Sequence, residues 1–185
     1  TFSDAEGNEL SSIPDVEHGY ELTAEDLEIA AEDLPEVDGK SFAYWTVNGQ
    51  KVEAGYKVTG ETVLVPYYAG KYYTVTFADA EGNELSSMPD IAHGYELVED
   101  DFEIAAEDLP EVEGMHFAYW TVDGQKVSVG YKVTGDVTIT AYYEVNLYTV
   151  TFADADGNEL TSMPDIAHGY ELTAEDLEIA AEDLP

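Results

Sequence analysis

The feature that most constrains this chain is a repeat. Thr1-Phe2, Thr76-Phe77 and Thr151-Phe152 open three copies of one sequence at a spacing of 75 residues. Self-similarity at a fixed period outranks total length in setting the number of folding units, because near-identical copies must reach near-identical structures. Ungapped alignment of 1–75 with 76–150 gives 24 differences, so 51 of 75 positions are identical. The third copy runs for 35 residues, 151–185, with 6 differences from its counterpart. A unit of the full period can bury a core of its own, whereas one of about 35–40 residues with neither disulfide nor metal generally does not. The expected organisation is therefore repeat 1 (1–75), repeat 2 (76–150) and a partial repeat 3 (151–185), first half only, completed by further chain or by another molecule.

The copies are joined with little slack. The closing strand of repeat 2 runs into the opening strand of repeat 3 across Glu144-Val145-Asn146, and the stretch Tyr56–Leu85 repeats the same joint. Such a connection is too short to act as a flexible linker, so adjoining units are expected to be coupled end to end.

Charge narrows the partners. There are 41 acidic and 6 basic residues and no arginine, for a net charge of −35. Nucleic acid and anionic lipid would repel such a chain, so neither nucleic-acid binding nor membrane insertion is expected. Acidity of this degree can accompany disorder, yet 44% hydrophobic residues and 14 tyrosines point to a folded, sheet-rich protein. With no cysteine, disulfides, thiol catalysis and cysteine metal sites are all excluded.

Within one repeat the periodicity changes twice. Tyr73, Val75 and Phe77 alternate with Thr74, Thr76 and Ala78, the period of a half-buried strand. Asp79 to Asn83 carries turn residues, with a return strand expected over 84–87 and interruptions at Pro89-Asp90 and His93-Gly94. Phe102, Ala105, Ala106 and Leu109 then fall at helical spacing. Their equivalents are Leu27, Ala30, Ala31 and Leu34 in repeat 1, and Leu177, Ala180, Ala181 and Leu184 in repeat 3. Thr23 and Thr173 stand where an N-cap belongs, and Val98 replaces that cap in repeat 2.

After Pro110 the strand pattern resumes with Phe117 to Val122. A turn at Asp123-Gly124 follows, then a strand placing Val127, Val129, Tyr131 and Val133 on one face, and a closing strand with Val137, Ile139 and Ala141 inward. Phe117 and Trp120 lie three apart, so a regular strand would turn them to opposite faces and a bulge is implied. The order strand, strand, helix, strand, strand, strand describes a small α+β unit with the helix laid across one side of a curved sheet.

Three motifs together, Tyr-Thr-Val-Thr-Phe at 73–77, Phe117-x-x-Trp120 and Gly130-Tyr-x-Val-Thr-Gly-Asp-Val-Thr, resemble the Listeria–Bacteroides repeat family, which includes the B-repeat of internalin-type surface proteins. The resemblance covers the whole period. It implies tandem β-grasp-like repeats, each a curved mixed sheet with one short helix, used as spacers or interaction modules in exported, wall-attached bacterial proteins, often adhesins. Met115 and Tyr119 depart from the family pattern, which has an aromatic residue and a glycine in those places.

Candidate chemistry is sparse. Asp154-x-Asp156-Gly157-Asn158 has the opening of a calcium loop but lacks its closing glutamate, so a hairpin turn is the expected reading. Glu32-Asp33, Glu107-Asp108 and Glu182-Asp183 place carboxylates where the helix dipole opposes them, which makes diffuse divalent cations a candidate partner. His18, His93 and His168 recur before glycine and read as turn histidines, because no second histidine falls at ligand spacing. A Lys–Asn cross-link through Lys51/Lys126 or Lys57/Lys132 is disfavoured, since Asn48 becomes Asp123 in the second copy. No catalytic constellation, metal site or cofactor motif is present, and no enzyme activity is expected. Tyr67, Tyr68 and Tyr73, with Tyr142, Tyr143 and Tyr148, flank the two joints and are the candidate inter-repeat packing residues.

The expected function is structural: an extracellular stalk or fibre of a bacterial surface protein, its partners being neighbouring repeats and like chains. An intermolecular filament completed through repeat 3, and an adhesin module for a host glycan or protein, are the alternatives.

Overall fold

The alternating opening segment forms a strand in each copy, and the helical stripe forms a helix in each. The computed structural model describes residues 1–32 and 34–182. In chain order its elements are β1 (Phe2–Ser3), β2 (Glu9–Ser11), β3 (Tyr20–Glu21), α1 (Ala24–Glu32), β4 (Lys40–Val47), β5 (Gln50–Lys51), β6 (Lys57–Val58) and β7 (Val65–Gly70). They continue with β8 (Tyr72–Ala78), β9 (Glu84–Ala92), α2 (Glu99–Glu107), β10 (Met115–Val122), β11 (Gln125–Val127), β12 (Val137–Val145), β13 (Leu147–Ala153), β14 (Glu159–Ala167) and α3 (Ala174–Glu182). The protein is thus mixed α+β, mostly sheet with short helices.

Two compact units divide the chain. The first comprises Thr1–Tyr73, Pro89–Tyr95 and Lys132–Gly135; the second comprises Thr74–Met88, Glu96–Tyr131 and Asp136–Pro185. In the first, β5, β4 and β7 form an antiparallel sheet, β3 pairs with β6, and β1 pairs with β2 and touches Leu64 through a parallel bridge. Phe2, Leu22, Ala30, Trp45, Val52 and Leu64 make its core, with Leu27, Ala31 and Leu34 of the helical stripe packed against it. Removing each of the larger side chains from water contributes about 1.5–3 kcal/mol. Trp45 is fixed twice, by an edge-on contact with Phe2 at 5.0 Å and by an indole N–H donated to the Leu27 carbonyl at 3.0 Å.

In the second unit the strand order is β11, β10, β12, β8, β9. β10 pairs antiparallel with β11 and with β12, while β12 runs parallel to β8 from Val137↔Val75 to Thr140↔Ala78. Phe77 is fully buried and meets Trp120 at 5.2 Å and Phe102 of α2 at 5.9 Å. Pairing slips between Phe117 and Tyr119, and the same slip lies between Phe42 and Tyr44. That bulge returns Phe117 to the face of Trp120, with ring centroids 5.1 Å apart, as the three-residue spacing required.

Two strands differ from expectation. The return strand is longer: β9 and β14 continue through Pro-Asp, with Asp90 and Asp165 both at φ 59°. In β14 two residues, Pro164 and Asp165, oppose one residue between the Tyr148↔Ile166 and Val150↔Met163 pairs. Proline has no N–H for the ladder and aspartate tolerates the left-handed region, so the pair makes a bulge rather than a stop. Conversely, β11 ends at Val127. Gly130 at φ 89° turns the backbone, Val129 is left 59% exposed, and Leu97 accepts from the Gly130 N–H while donating to the Tyr131 carbonyl.

The caps follow the sequence. Thr23 Oγ1 accepts from the Asp26 N–H at 3.1 Å while Asp26 accepts from the Thr23 N–H at 2.8 Å, and Thr173 and Asp176 repeat this box. At Val98 only the aspartate half survives, Asp101 accepting from the Val98 N–H at 2.9 Å.

The acidic hairpin loops are closed upon themselves. Asp79 Oδ1 accepts from the N–H groups of Glu81 and Asn83, both at 2.9 Å, and Oδ2 accepts from the Asn83 amide at 2.8 Å. Asp4 and Asp154 make the same three bonds. The Asn83 side-chain bond, followed by the backbone N–H bonds, holds the Asp79 carboxyl below its usual range. The loops are hairpin turns with their oxygens already committed, and no cluster of metal-ligating residues occurs among the described residues.

Over its described residues the third copy is less buried than the second. β13 and β14 form a two-stranded sheet, and Leu172 is 42% exposed where its counterpart Leu97 is 0%. Leu177 of the third helical stripe is 51% exposed. Asp33, Asp183 and Leu184 lie outside the described residues, as do the side chains of Ala180, Ala181 and Glu182.

Two outcomes follow from this packing. Phe77→Ala will cost about 3–5 kcal/mol in denaturant unfolding, whereas Phe152→Ala, at the aligned and only half-buried position, will cost under about 1 kcal/mol. Asp79→Asn will lower the melting temperature at pH 7 and flatten the acid limb. A depressed carboxyl stabilises above its unfolded pKa, about 3.9, and that contribution disappears as pH falls through the lower folded value. Parallel thermal melts of both chains from neutral pH to below pH 3 would check this.

Candidate functional site

Where one repeat passes into the next, a single residue separates the strands. Lys71 lies between β7 and β8, and Asn146 lies between β12 and β13. Both of its backbone groups are used. The Lys71 N–H donates to the Gly39 carbonyl at 2.8 Å, and the Lys71 carbonyl accepts from the His93 N–H at 3.0 Å. Asn146 repeats the relay with Gly114 and His168, at 2.8 Å on each side. The linker residue therefore behaves as a one-residue strand held between two neighbours.

Glycine is required beside it for two reasons. Gly39 has φ 68° and Gly114 φ 72°, a region that L side chains rarely enter. A Cβ on Gly39 would also stand 2.7 Å from Cδ2 of the His93 ring, and one on Gly114 would meet the His168 ring still more closely. The imidazole thus lies directly against bare backbone. In the first joint His93 Nε2 is 3.2 Å from Asp38 and Nδ1 is 3.3 Å from the Tyr73 hydroxyl. Asp38 is almost fully exposed, so water screens that pair and its contribution is small. In the second joint His168 faces Tyr148 at 6.0 Å between ring centroids, while His116 Nδ1 and Asn146 Oδ1 are hydrogen bonded at 2.8 Å.

The six tyrosines divide into three pairs. Tyr73 and Tyr148 stand beside the joint histidines. Tyr67 stacks on Tyr44 and Tyr142 on Tyr119, each at 4.7 Å, as cross-strand pairs within one sheet. Lys51 and Lys126 sit over the outer rings, at 5.4 and 4.6 Å. Tyr68 donates to the Pro35 carbonyl at 3.3 Å and Tyr143 to the Pro110 carbonyl at 3.0 Å, anchoring the segment after each helix. Burial, foremost, pushes both of these phenols up from their usual range.

Sequence reasoning read His93 and His168 as turn residues and missed their place at the joints. The available signal was the joint recurrence of Asp38-Gly39 and Glu113-Gly114 with His93-Gly94 and His168-Gly169, at the same offsets in successive copies.

No protein-family model matches the chain. A protein from Evansella cellulosilytica named "Putative Gly-rich membrane protein" is 27% identical over 175 residues, covering 88% of this chain and 18% of that protein. The chain thus spans under a fifth of the length of this relative. Among the described residues of the chain itself, no helix is long and apolar enough to cross a membrane.

Proposed function

We propose that the chain is a non-enzymatic spacer: tandem β-grasp-like units forming part of an extracellular stalk or fibre of a bacterial surface protein. The observation that carries this reading is the relay of glycine carbonyl, linker residue and histidine N–H, present at both joints with the same partners in the same order. A connection bonded on both sides resists bending, as a spacer demands and as a string of independent binding modules does not. The parallel pairing of β12 with β8 inside the sheet of the second unit supports the β-grasp-like part of this reading.

Two further observations support the setting. Similarity to a short portion of a much longer protein suits a repeat segment within a larger envelope protein. A charge of −35 keeps neighbouring copies of such a spacer apart at low ionic strength and attracts diffuse divalent cations.

Gly39→Ala tests the reading at its joint. The substitution will open the relay, seen as faster amide exchange at Lys71 and His93 with the Phe2–Trp45 core still protected. Small-angle scattering at about 0.15 M salt will show a broader distribution of interatomic distances than for the parent chain. A parent chain already as flexible as the variant would defeat the spacer reading.

A further inference from the structure

The chain has 6 lysines against 41 acidic residues, and they are not used alike. Lys51 and Lys57 close on Glu53 and Glu21 at 2.8 and 3.2 Å. Lys40 and Lys71, by contrast, line one groove of the first unit together with Phe42, Tyr73, His93 and Thr134. Among the described residues neither of the two forms a salt bridge. Glu36 and Asp38 also border this groove, and Asp38 is directed to His93.

The second joint provides a comparison within the same molecule. Its groove keeps equivalent walls, with Leu109, Pro110, Phe117 and Tyr143. Met115, however, stands where the first has Lys40, and Asn146 is the linker residue where the first has Lys71. The walls are repeated and the cations are not.

We propose that the groove between Lys40 and Lys71 binds the carboxylate of an acidic saccharide, a uronic-acid unit flanked by neutral sugar. Two ammonium groups can hold one carboxylate by charge-assisted hydrogen bonds. Thr134 and Tyr73, whose hydroxyl lies 3.3 Å from His93 Nδ1, line the groove and offer polar atoms to a sugar, and the Tyr73 ring with the part of Phe42 not packed on the core adds apolar surface. The field of a strongly acidic chain rejects dense polyanions such as nucleic acid or polyphosphate, so isolated carboxylates separated by neutral sugar are the anions that can approach.

The test uses the full chain and a disaccharide bearing one glucuronate, with the corresponding neutral disaccharide as control, in amide chemical-shift titrations at low salt. Saturable shifts are expected at Gly39, Lys71, His93 and Thr134, with a dissociation constant in the millimolar range or tighter. The neutral sugar should bind at least about tenfold more weakly. Lys40→Met with Lys71→Asn installs the residues of the second joint, which the fold accommodates there, and should weaken binding by about tenfold while leaving the melting temperature in place. Equal binding of the neutral sugar, unchanged binding by the double variant, equal shifts at Gly114, Asn146 and His168, or no saturable shift below about 10 mM would each overturn the assignment.

Discussion

Much of the geometry here depends on how one peptide unit is held. At the end of an antiparallel ladder the chain normally leaves the sheet through a loop, and its polar backbone groups turn to water. At Lys71 the ladder of β4 and β7 instead extends one step further to Gly39, and the same residue then receives the N–H of His93. Neither bond is strong by itself, each adding about 0.5–1.5 kcal/mol. Their effect is local: with donor and acceptor both committed, the linker residue has little freedom to rotate. A bare glycine backbone is what allows the imidazole to lie close enough to complete the arrangement.

Local features were readable in the sequence because their causes are local. The Phe-x-x-Trp spacing required a bulge and the register slip supplies one at both Phe42 and Phe117. Thr23 and Thr173 stood where N-caps belong, and each accepts from the N–H three residues on. Alternation also assigned Ile139 and Ala141 inward, and both are buried. The early end of β11 was not visible, because the valine alternation continues past Gly130 while the backbone turns there to meet Leu97. The joint histidines escaped for a similar reason. His93-Gly94 and His168-Gly169 are turns as expected, but the glycine that each imidazole covers lies some fifty residues away in sequence. The six tyrosines were noticed for their place in the sequence, yet their partners are set by sheet register and by the segment after each helix.

Acidity of this degree calls for compensation, and lysine supplies little of it. Asp4, Asp79 and Asp154 are satisfied by main-chain N–H groups and an asparagine amide, and Asp26 and Asp176 by the first turns of their helices. The main-chain donors among these belong to the fold and cannot be removed by substituting a side chain. The carboxylates that matter for structure are thereby separated from the many that are merely solvated, and the few lysines are left for other uses.

The linker position has a consequence for how such an array can diversify. Only its main-chain atoms take part in the relay, so its side chain is under no geometric obligation, and lysine occupies one joint while asparagine occupies the other. Each seam between copies can therefore acquire its own surface chemistry through a single codon change. A gene built by duplication could in this way number its segments, giving otherwise interchangeable lengths of protein distinct addresses.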